Sequence, residues 1–273
     1  MQLDPAIHHM TAIVLAGDRS KKDSLVSHSG AGCKALIDVD GTPMVRRVIG
    51  ALKNSQLVDK ILLSGPERAE LDRDAILAAW VDAGEVDWRN PMATPSTSAY
   101  AALQSLPRGE PVLLTTADHP LLTEEIIDAY GRQSLADDVD VTVGLAPYAL
   151  VRDTYPDMDK TVLRFSDGEF CGCNLFAFLT PEGRRAANFW RRIEQQRKKP
   201  IALISMLGWW AVLRYRFGLL PLEEALAKLS KRLGLRLRAV ILPYANAAVD
   251  VDSISDLMMV RGSFEKLAAE QEL

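Results

Sequence analysis

The chain is short of the features that define several protein classes. Among its 273 residues only three are cysteine, Cys33, Cys171 and Cys173. Three thiols cannot all pair, and a chain of this length can bury a core without covalent staples. A disulfide scaffold is therefore excluded, and a reducing, cytoplasmic setting is expected. There is no surplus of positive charge either: 32 Lys and Arg stand against 36 Asp and Glu, for a net charge of −4. A general nucleic-acid binder carries a basic face, so no nucleic-acid partner is expected. The opening MQLDPAIHHM has neither a basic nor an apolar region of the kind a signal peptide needs, and none is expected. Long apolar runs are missing too. Residues 200–222 come nearest, but their charge-free part, 201–213, falls short of the roughly 20 residues of a spanning helix. Arg214 and Arg216 then interrupt it. The expectation is that residues 201–217 form helix buried against its neighbours, with contact to a membrane surface as the alternative.

What is present is a strand-then-helix alternation. Short β-rich runs at 11–16, 60–64, 111–116 and 139–145 are separated by helical patterns at 43–53, 73–83, 96–106 and 123–134. That rhythm predicts an α/β fold, a mostly parallel open sheet with helices on both faces. Thr42-Pro43 reads as a helix cap followed by proline at the first helical position, and Thr123 as a cap before two glutamates. In the second half, TVLRFSDGEF and NLFAFL read as strands around an Asp167-Gly168 turn. Helices at 181–198, 201–217 and 221–233 form a helical elaboration, residues 181–233, of one domain spanning 1–273. A strand at 235–242, a short one at 248–251 and a last helix from Ser253 complete the plan. No internal repeat is present.

In an open parallel sheet, ligands bind beyond the carboxyl ends of the strands. The first run ends in Leu15-Ala16-Gly17 and enters a loop rich in charge, with Arg19, Lys21, Lys22 and, at its end, Lys34. Loop amides with nearby lysines suit an anion, and a glycine lets backbone come close to a ligand. A solvated surface loop is the plainer reading. The run 111–116 ends at Asp118, followed by His119-Pro120. A carboxylate there suits a hard cation such as Mg²⁺, because Thr123 is better placed to cap the next helix. In AVDVDSISDL, Val249 and Val251 alternate with Asp250 and Asp252, which puts both carboxylates on one side of the chain. Ser253 and Asp256 read as a capping box. Cys171-Gly-Cys173 supplies too few ligands for zinc. Asn174 offers an amide to a sugar hydroxyl.

These pieces occur in one order: Leu15-Ala16-Gly17, Lys34 in KALIDVDGTPMV, Asp118 in TTADHPLL, Asn174 in GCNLFAF, then VDVDSISDL. The sequence resembles the MobA-like nucleotidyltransferases, a family with a GT-A-type α/β fold, over roughly residues 11–257. The resemblance implies that the first loop, with Leu15, Ala16 and Gly17, holds a triphosphate. It implies that Lys34 and Asp118 are catalytic and that Asp118 binds metal, completed by Asp250 or its rival Asp252. It places Ser96 and Ser98 near the base and Asn174 in the acceptor pocket. Asp18 stands where the family has a second glycine and Lys22 where it has an arginine. A carboxylate beside a triphosphate is unfavourable unless Arg19, Lys22 or a metal offsets it.

The reaction implied is a Mg²⁺-dependent transfer of a nucleoside monophosphate from an NTP to a phosphorylated small-molecule acceptor, releasing pyrophosphate. Asp118 and Asp250 are expected to share one cation and to repel without it, so that Asp118→Asn would slightly stabilise the metal-free protein. Two alternatives stand beside it. A GT-A-type glycosyltransferase would want a second acid after Asp118, which His119-Pro120 does not supply. A non-catalytic nucleotide or membrane-surface binder would use Trp209-Trp210 and the basic run 191–199.

Overall fold

The computed structural model describes residues 9–18, 24–136, 138–196 and 208–271. In chain order the strands are β1 (Met10–Leu15), β2 (Asp38–Val39), β3 (Thr42–Pro43), β4 (Val58–Ser64), β5 (Asp87–Arg89), β6 (Val112–Thr116), β7 (Val141–Pro147), β8 (Val162–Phe165), β9 (Gly168–Phe178) and β10 (Leu237–Ile241). The helices are α1 (Ser24–Ser29), α2 (Met44–Asn54), α3 (Arg68–Leu71), α4 (Ala75–Asp82), α5 (Pro95–Ser105), α6 (Glu124–Leu135) and α7 (Tyr148–Thr154). They continue with α8 (Arg185–Gln196), α9 (Trp209–Arg216), α10 (Leu222–Leu233) and α11 (Ile254–Gln271).

The main sheet runs β10-β7-β9-β6-β1-β4-β5, with β8 paired to β9. Pairs β1–β4, β1–β6, β4–β5 and β7–β10 are parallel. Only β9 runs against its neighbours β6, β7 and β8. The sheet is thus mostly parallel, as the alternation predicts. Strand β1 is buried at all its positions because both faces are covered. Ala12 and Val14 belong to a core shared with α2, α4 and α6, through residues such as Val48, Leu77 and Tyr130. Ile13 and Leu15 point the other way, into a core with Ala99, Ala102 and Leu103 of α5 and Ala187 of α8. Helices therefore lie on both faces.

Several local expectations change. Thr42 does not cap α2. It pairs in the small β2–β3 ribbon, and the helix starts after Pro43. Residues 248–251 are not a strand. Ala245–Ala248 is a 3₁₀ turn, yet Val249 and Val251 are still fully buried, so the alternation was read correctly for the wrong element. Helix α7 and the three-residue edge strand β5 went unrecognised, both being too short to show a period. The capping box at α11 is present: Ser253 N–H donates to Asp256 Oδ2 (2.8 Å), and Asp256 N–H donates to Ser253 Oγ (3.2 Å).

The segment 201–217 needs the largest correction. Residues 201–207 lie outside the described part, so the expectation is tested only from Trp209 onward. There α9 buries Ala211 alone, while Trp209, Trp210 and Phe217 are 68%, 77% and 68% exposed. Among the described residues its attachments lie on one side. Arg214 bonds Glu224 of α10 (2.5 Å) and the Leu219 carbonyl (2.7 Å), and the Tyr215 ring meets Phe165 edge-on at 5.4 Å. Ala211 and Tyr215, four residues apart, share that inner face and leave the tryptophans outside. No helix among the described residues is long and apolar enough to cross a membrane.

One carboxylate ties three strands together. Asp140, at the entry to β7, accepts the Arg236 N–H (2.7 Å) before β10 and the Thr180 hydroxyl (2.8 Å) after β9. Burial raises its pKa, but these bonds and the Arg236 guanidinium outweigh that and hold it below the usual carboxylate value. A depressed carboxylate stabilises the fold above its unfolded pKa and loses that contribution as pH falls through the folded pKa. Asp140→Asn is therefore expected to cost about 2 kcal/mol at pH 7. The difference from wild type should narrow as the pH is taken below about 4. Urea denaturation at both pH values checks it, and a gap that widens in acid would contradict the assignment.

Candidate functional site

Strand β1 has β6 on one side and β4 on the other: from β1 the chain moves outward to β4 and β5, then crosses back to β6 on the other side. The carboxyl end of β1 is a topological switch point, where a crevice opens in sheets of this kind. Leu15 pairs with both Thr116 and Ser64 at that level. The Ala117 N–H bonds the Leu15 carbonyl (2.9 Å), and so keeps the exit of β6 against that of β1. A cavity of about 150 Å³ opens there, lined among others by Gly17, Lys34, Thr94, Ser98, Asp118 and Asp252.

The centre of the cavity wall is one ammonium between two carboxylates. Lys34 Nζ lies 2.7 Å from Asp118 Oδ2 and 2.5 Å from Asp252 Oδ1. Each group is delivered by a separate device. Lys34 opens the 3₁₀ turn Lys34–Leu36, and its backbone N–H donates to Asp18 Oδ1 (3.0 Å). Asp118 accepts the Thr116 hydroxyl at Oδ1 (2.6 Å), which fixes its rotation. Asp252 arrives because the Val251 N–H donates to the Asp118 carbonyl (2.9 Å), sewing residues 249–252 onto the loop after β6. Asp256 takes the acidic place in the capping box and leaves Asp252 free to face Lys34.

The electrostatics follow. Burial opposes the charge on Asp118, but the Lys34 ammonium and the Thr116 hydroxyl outweigh it and hold the carboxyl far below the usual range. Burial likewise works against the Lys34 ammonium, yet Asp118 and Asp252 hold its pKa above normal. Both groups are charged at neutral pH. Two carboxylates against one ammonium leave this trio with a net negative charge.

A second polar cluster adjoins the first. Asn174 sits in β9 with φ of 47°, in the left-handed region that costs a non-glycine residue about 1 kcal/mol or more. Its Nδ2 lies 2.8 Å from His119 Nε2 and 3.4 Å from Asp250 Oδ2. An amide nitrogen that donates to both makes Nε2 an acceptor and puts the imidazole proton on Nδ1. Burial pushes the His119 pKa down, consistent with a neutral ring. His119 Nδ1 is buried and has no partner among the described residues. Asp250 Oδ1 pairs with Lys160.

The structure thus brings Lys34, Asp118 and Asp252 together, with Leu15 and Gly17 on the same cavity. Asp250 belongs to the adjoining cluster with Asn174. Asp118 faces Lys34, not a bare carboxylate, so the expected gain in stability for Asp118→Asn is overturned. Ser98 lines the cavity, and its Oγ accepts the Met92 N–H (2.9 Å). Ser96 is fully buried at the start of α5, beside the Thr94 hydroxyl (3.2 Å). Ala16 is buried, and Gly17 has a protein reason to lack a side chain: a Cβ would lie 2.8 Å from Pro91 Cβ. Arg19 and Lys22 lie outside the described residues. Cys171 and Cys173 are core residues, and burial pushes the Cys173 thiol up to about 12, far from a zinc thiolate. Among the described residues no group of three His, Cys, Asp or Glu side chains is arranged as a metal site. Sequence reasoning missed Asp18 as a brace for Lys34, and it missed Lys160 and Thr116. Only Thr116, two before an aspartate at a strand end, carried a local signal.

The family model of the MobA-like NTP transferase domain matches residues 12–153, which take in most of β1 and include Lys34 and Asp118. The chain belongs to this family. Among solved structures it is similar to a hypothetical transferase from Thermus thermophilus, at 29% identity and a TM-score of 0.76, over 91% of this chain and 99% of that one. The fold is shared with a CMP:2-keto-3-deoxy-manno-octonic acid synthetase complexed with CTP (13% identity, TM-score 0.57, 97% and 100% covered). It is also shared with a 4-diphosphocytidyl-2C-methyl-D-erythritol synthase from Anaerococcus prevotii (12% identity, TM-score 0.53, 96% and 100% covered). No protein of curated function matches the chain.

Membership in a MobA-like family makes the ion trio the natural target of mutation. Asp118→Asn removes the deeper of the two counter-charges and leaves Lys34, 20% exposed, with one partner. The metal-free protein is expected to lose about 2 kcal/mol at pH 7. Thermal and urea unfolding in EDTA measure it. A variant as stable as wild type, or more stable, would mean that the Lys34–Asp118 pair does not form in solution.

Proposed function

We propose that this MobA-like protein transfers a nucleoside monophosphate from an NTP to a phosphorylated small-molecule acceptor and releases pyrophosphate. The observation that carries the reading is the Lys34 ammonium between Asp118 and Asp252 at the switch-point cavity. An ammonium already bound by two carboxylates is a cation held in place for a richer anion. When a triphosphate enters, Lys34 gains phosphate oxygens and the carboxylates lose their counter-charge. Hard oxygen donors released beside a triphosphate suit Mg²⁺, which is usually bound by one or two carboxylates plus substrate phosphates. Asp118 and Asp252 would hold it, with Asp18 a further carboxylate on the same cavity and Asp250 in the adjoining cluster. Bound there, the ion would offset charge on the phosphates.

The chemistry asks little covalent work of the protein. An oxygen of the acceptor phosphate attacks the α-phosphorus, the bond from that phosphorus to the bridging oxygen breaks, and pyrophosphate leaves with the electron pair. A phosphate dianion needs no general base. Catalysis then rests on position and charge. Lys34 steadies the charge growing on the leaving group. Backbone at Leu15, Ala16 and Gly17 borders the triphosphate, and the sequence that follows offers Arg19 and Lys22 as further positive charge. Thr94 and Ser98 border the nucleoside side, with Ser96 bracing Thr94, and Asn174 lies toward the acceptor. Asp18 is not a misplaced carboxylate beside phosphate, because its oxygen is engaged by the Lys34 amide.

Pyrophosphate release, measured for each NTP against phosphorylated sugars, polyols and cofactor precursors with Mg²⁺, tests the reading. One pair is expected to turn over. Asp118→Asn and Lys34→Met should each lower kcat/KM by on the order of 10²–10³. Failure of every pair to release pyrophosphate, or an active Asp118→Asn enzyme, would overturn it.

A further inference from the structure

We infer that Lys160 is the anchor for the acceptor's phosphate group and that its ion pair with Asp250 is the resting state of that subsite. The inference rests on the nucleotidyl-transfer reading above and names a residue which that reading does not use.

The first argument is charge. Lys34, Asp118 and Asp252 together are net negative, and a bound triphosphate would occupy the one ammonium among them. With Mg²⁺ offsetting Asp118 and Asp252, an acceptor phosphate still meets the negative charge of the triphosphate and of Asp250, and is repelled unless it finds a further cation. Lys160 is the ammonium of the adjoining cluster, paired to Asp250, whose other oxygen lies 3.4 Å from the Asn174 amide. With Lys34 committed to the nucleotide, Lys160 is a cation left on the acceptor side. Its side chain is only 10% exposed, so its charge is little screened.

The second argument is position. From Asp118 Oδ1 to His119 Nε2 is 4.0 Å, from there to Asn174 Nδ2 is 2.8 Å, and from Asn174 Nδ2 to Asp250 Oδ2 is 3.4 Å. Lys160 closes the series on the other oxygen of Asp250. The series begins at the carboxylate that faces Lys34 and ends at a second ammonium. Along it lie a strained Asn174 and a buried His119 Nδ1 that has no partner among the described residues, features that a purely structural cluster does not need.

The third argument is that the ion pair is poorly explained as a staple. The loop carrying Lys160 is already fastened: the Tyr155 hydroxyl donates to Asn246 Oδ1 (2.5 Å), and Tyr155 and Met158 pack in the core cluster with Val249 and Val251. A partly buried ion pair adds little net stability over such packing. What it does add is an ammonium with three donors, held by one carboxylate that has Asn174 as its other partner. A phosphate monoester offers more oxygens than Asp250 and can take Lys160 from it, leaving Asp250 its bond to the Asn174 amide.

Inorganic phosphate is the probe. The triphosphate site is first saturated with Mg²⁺ and an α,β-methylene NTP analogue, so that Lys34 is occupied. Phosphate is then titrated by calorimetry. Wild type is expected to bind one phosphate per chain. Lys160→Met should weaken that binding at least tenfold while changing analogue affinity less than twofold, which also shows that the variant is folded. Lys160→Arg should restore most of the binding. Asp250→Asn should tighten phosphate binding, because it frees the ammonium. Equal phosphate affinity in wild type and Lys160→Met would overturn the inference. So would weakening in Asp250→Asn to match Lys160→Met, the result a structural pair gives, or tighter binding of acetate than of phosphate by wild type. Failure of wild type to bind any NTP analogue would instead overturn the functional reading, and this assignment with it.

Discussion

The molecule is organised around an ammonium that has two carboxylates and little water. Lys34 reaches Asp118 from the first loop, and Asp252 joins from the far end of the chain. Lys34 and Asp118 depend on each other most, being 20% and 19% exposed, while Asp252 joins from the open side at 63%. A half-buried charge without a partner is costly, and two carboxylates so close would repel. Their meeting requires β1 and β6 to be neighbours, the Leu15–Ala117 bond to hold their exits level, and the Val251–Asp118 bond to bring the late segment across. The same arrangement carries surplus negative charge, which under the proposed function a divalent cation would offset before a polyphosphate could bind.

The antiparallel strand β9 is the second constraint. In an otherwise parallel sheet it enters between β6 and β7, so it passes the carboxyl end of β6 while running the other way. Its register with β7 shifts between Val143 and Leu145, and near that irregularity Asn174 takes a left-handed conformation. This places an amide beside His119 that no helix or parallel strand in this fold could have supplied. The cluster of His119, Asn174, Asp250 and Lys160 is a product of that single reversed strand and of the loop before β8.

Much of the architecture was legible because burial leaves a periodic trace. A central strand covered on both faces must be largely apolar, as β1 is apart from Thr11 and β6 is at Val112–Leu114; the helices that cover it must show one apolar face, as α2 and α6 do. Cap residues marked α6 and α11, while the Thr42-Pro43 signal belonged to the β2–β3 ribbon. Elements with no room for a period, such as β5 and α7, were invisible. The segment from Trp209 shows the opposite failure. Apolar composition argued for burial, but among the described residues the attachments of α9 lie on one side, and composition does not say which side or how much of a helix finds a neighbour.

Lys34 and Asp118 could be singled out by their place at strand ends, and Asp250 and Asp252 by alternation with buried valines. By itself, then, the sequence determined the strand order's raw material, the family and the handful of charged residues that matter, because these depend on local pattern and on motif order. It left open which carboxylate meets which cation. That pairing joins residues far apart in the chain, and a difference of two positions, Asp250 against Asp252, turns a side chain toward Lys160 or toward Lys34. Only the tertiary structure decides it, because the choice is made by a backbone hydrogen bond from Val251 to Asp118 that leaves no trace in side-chain identity.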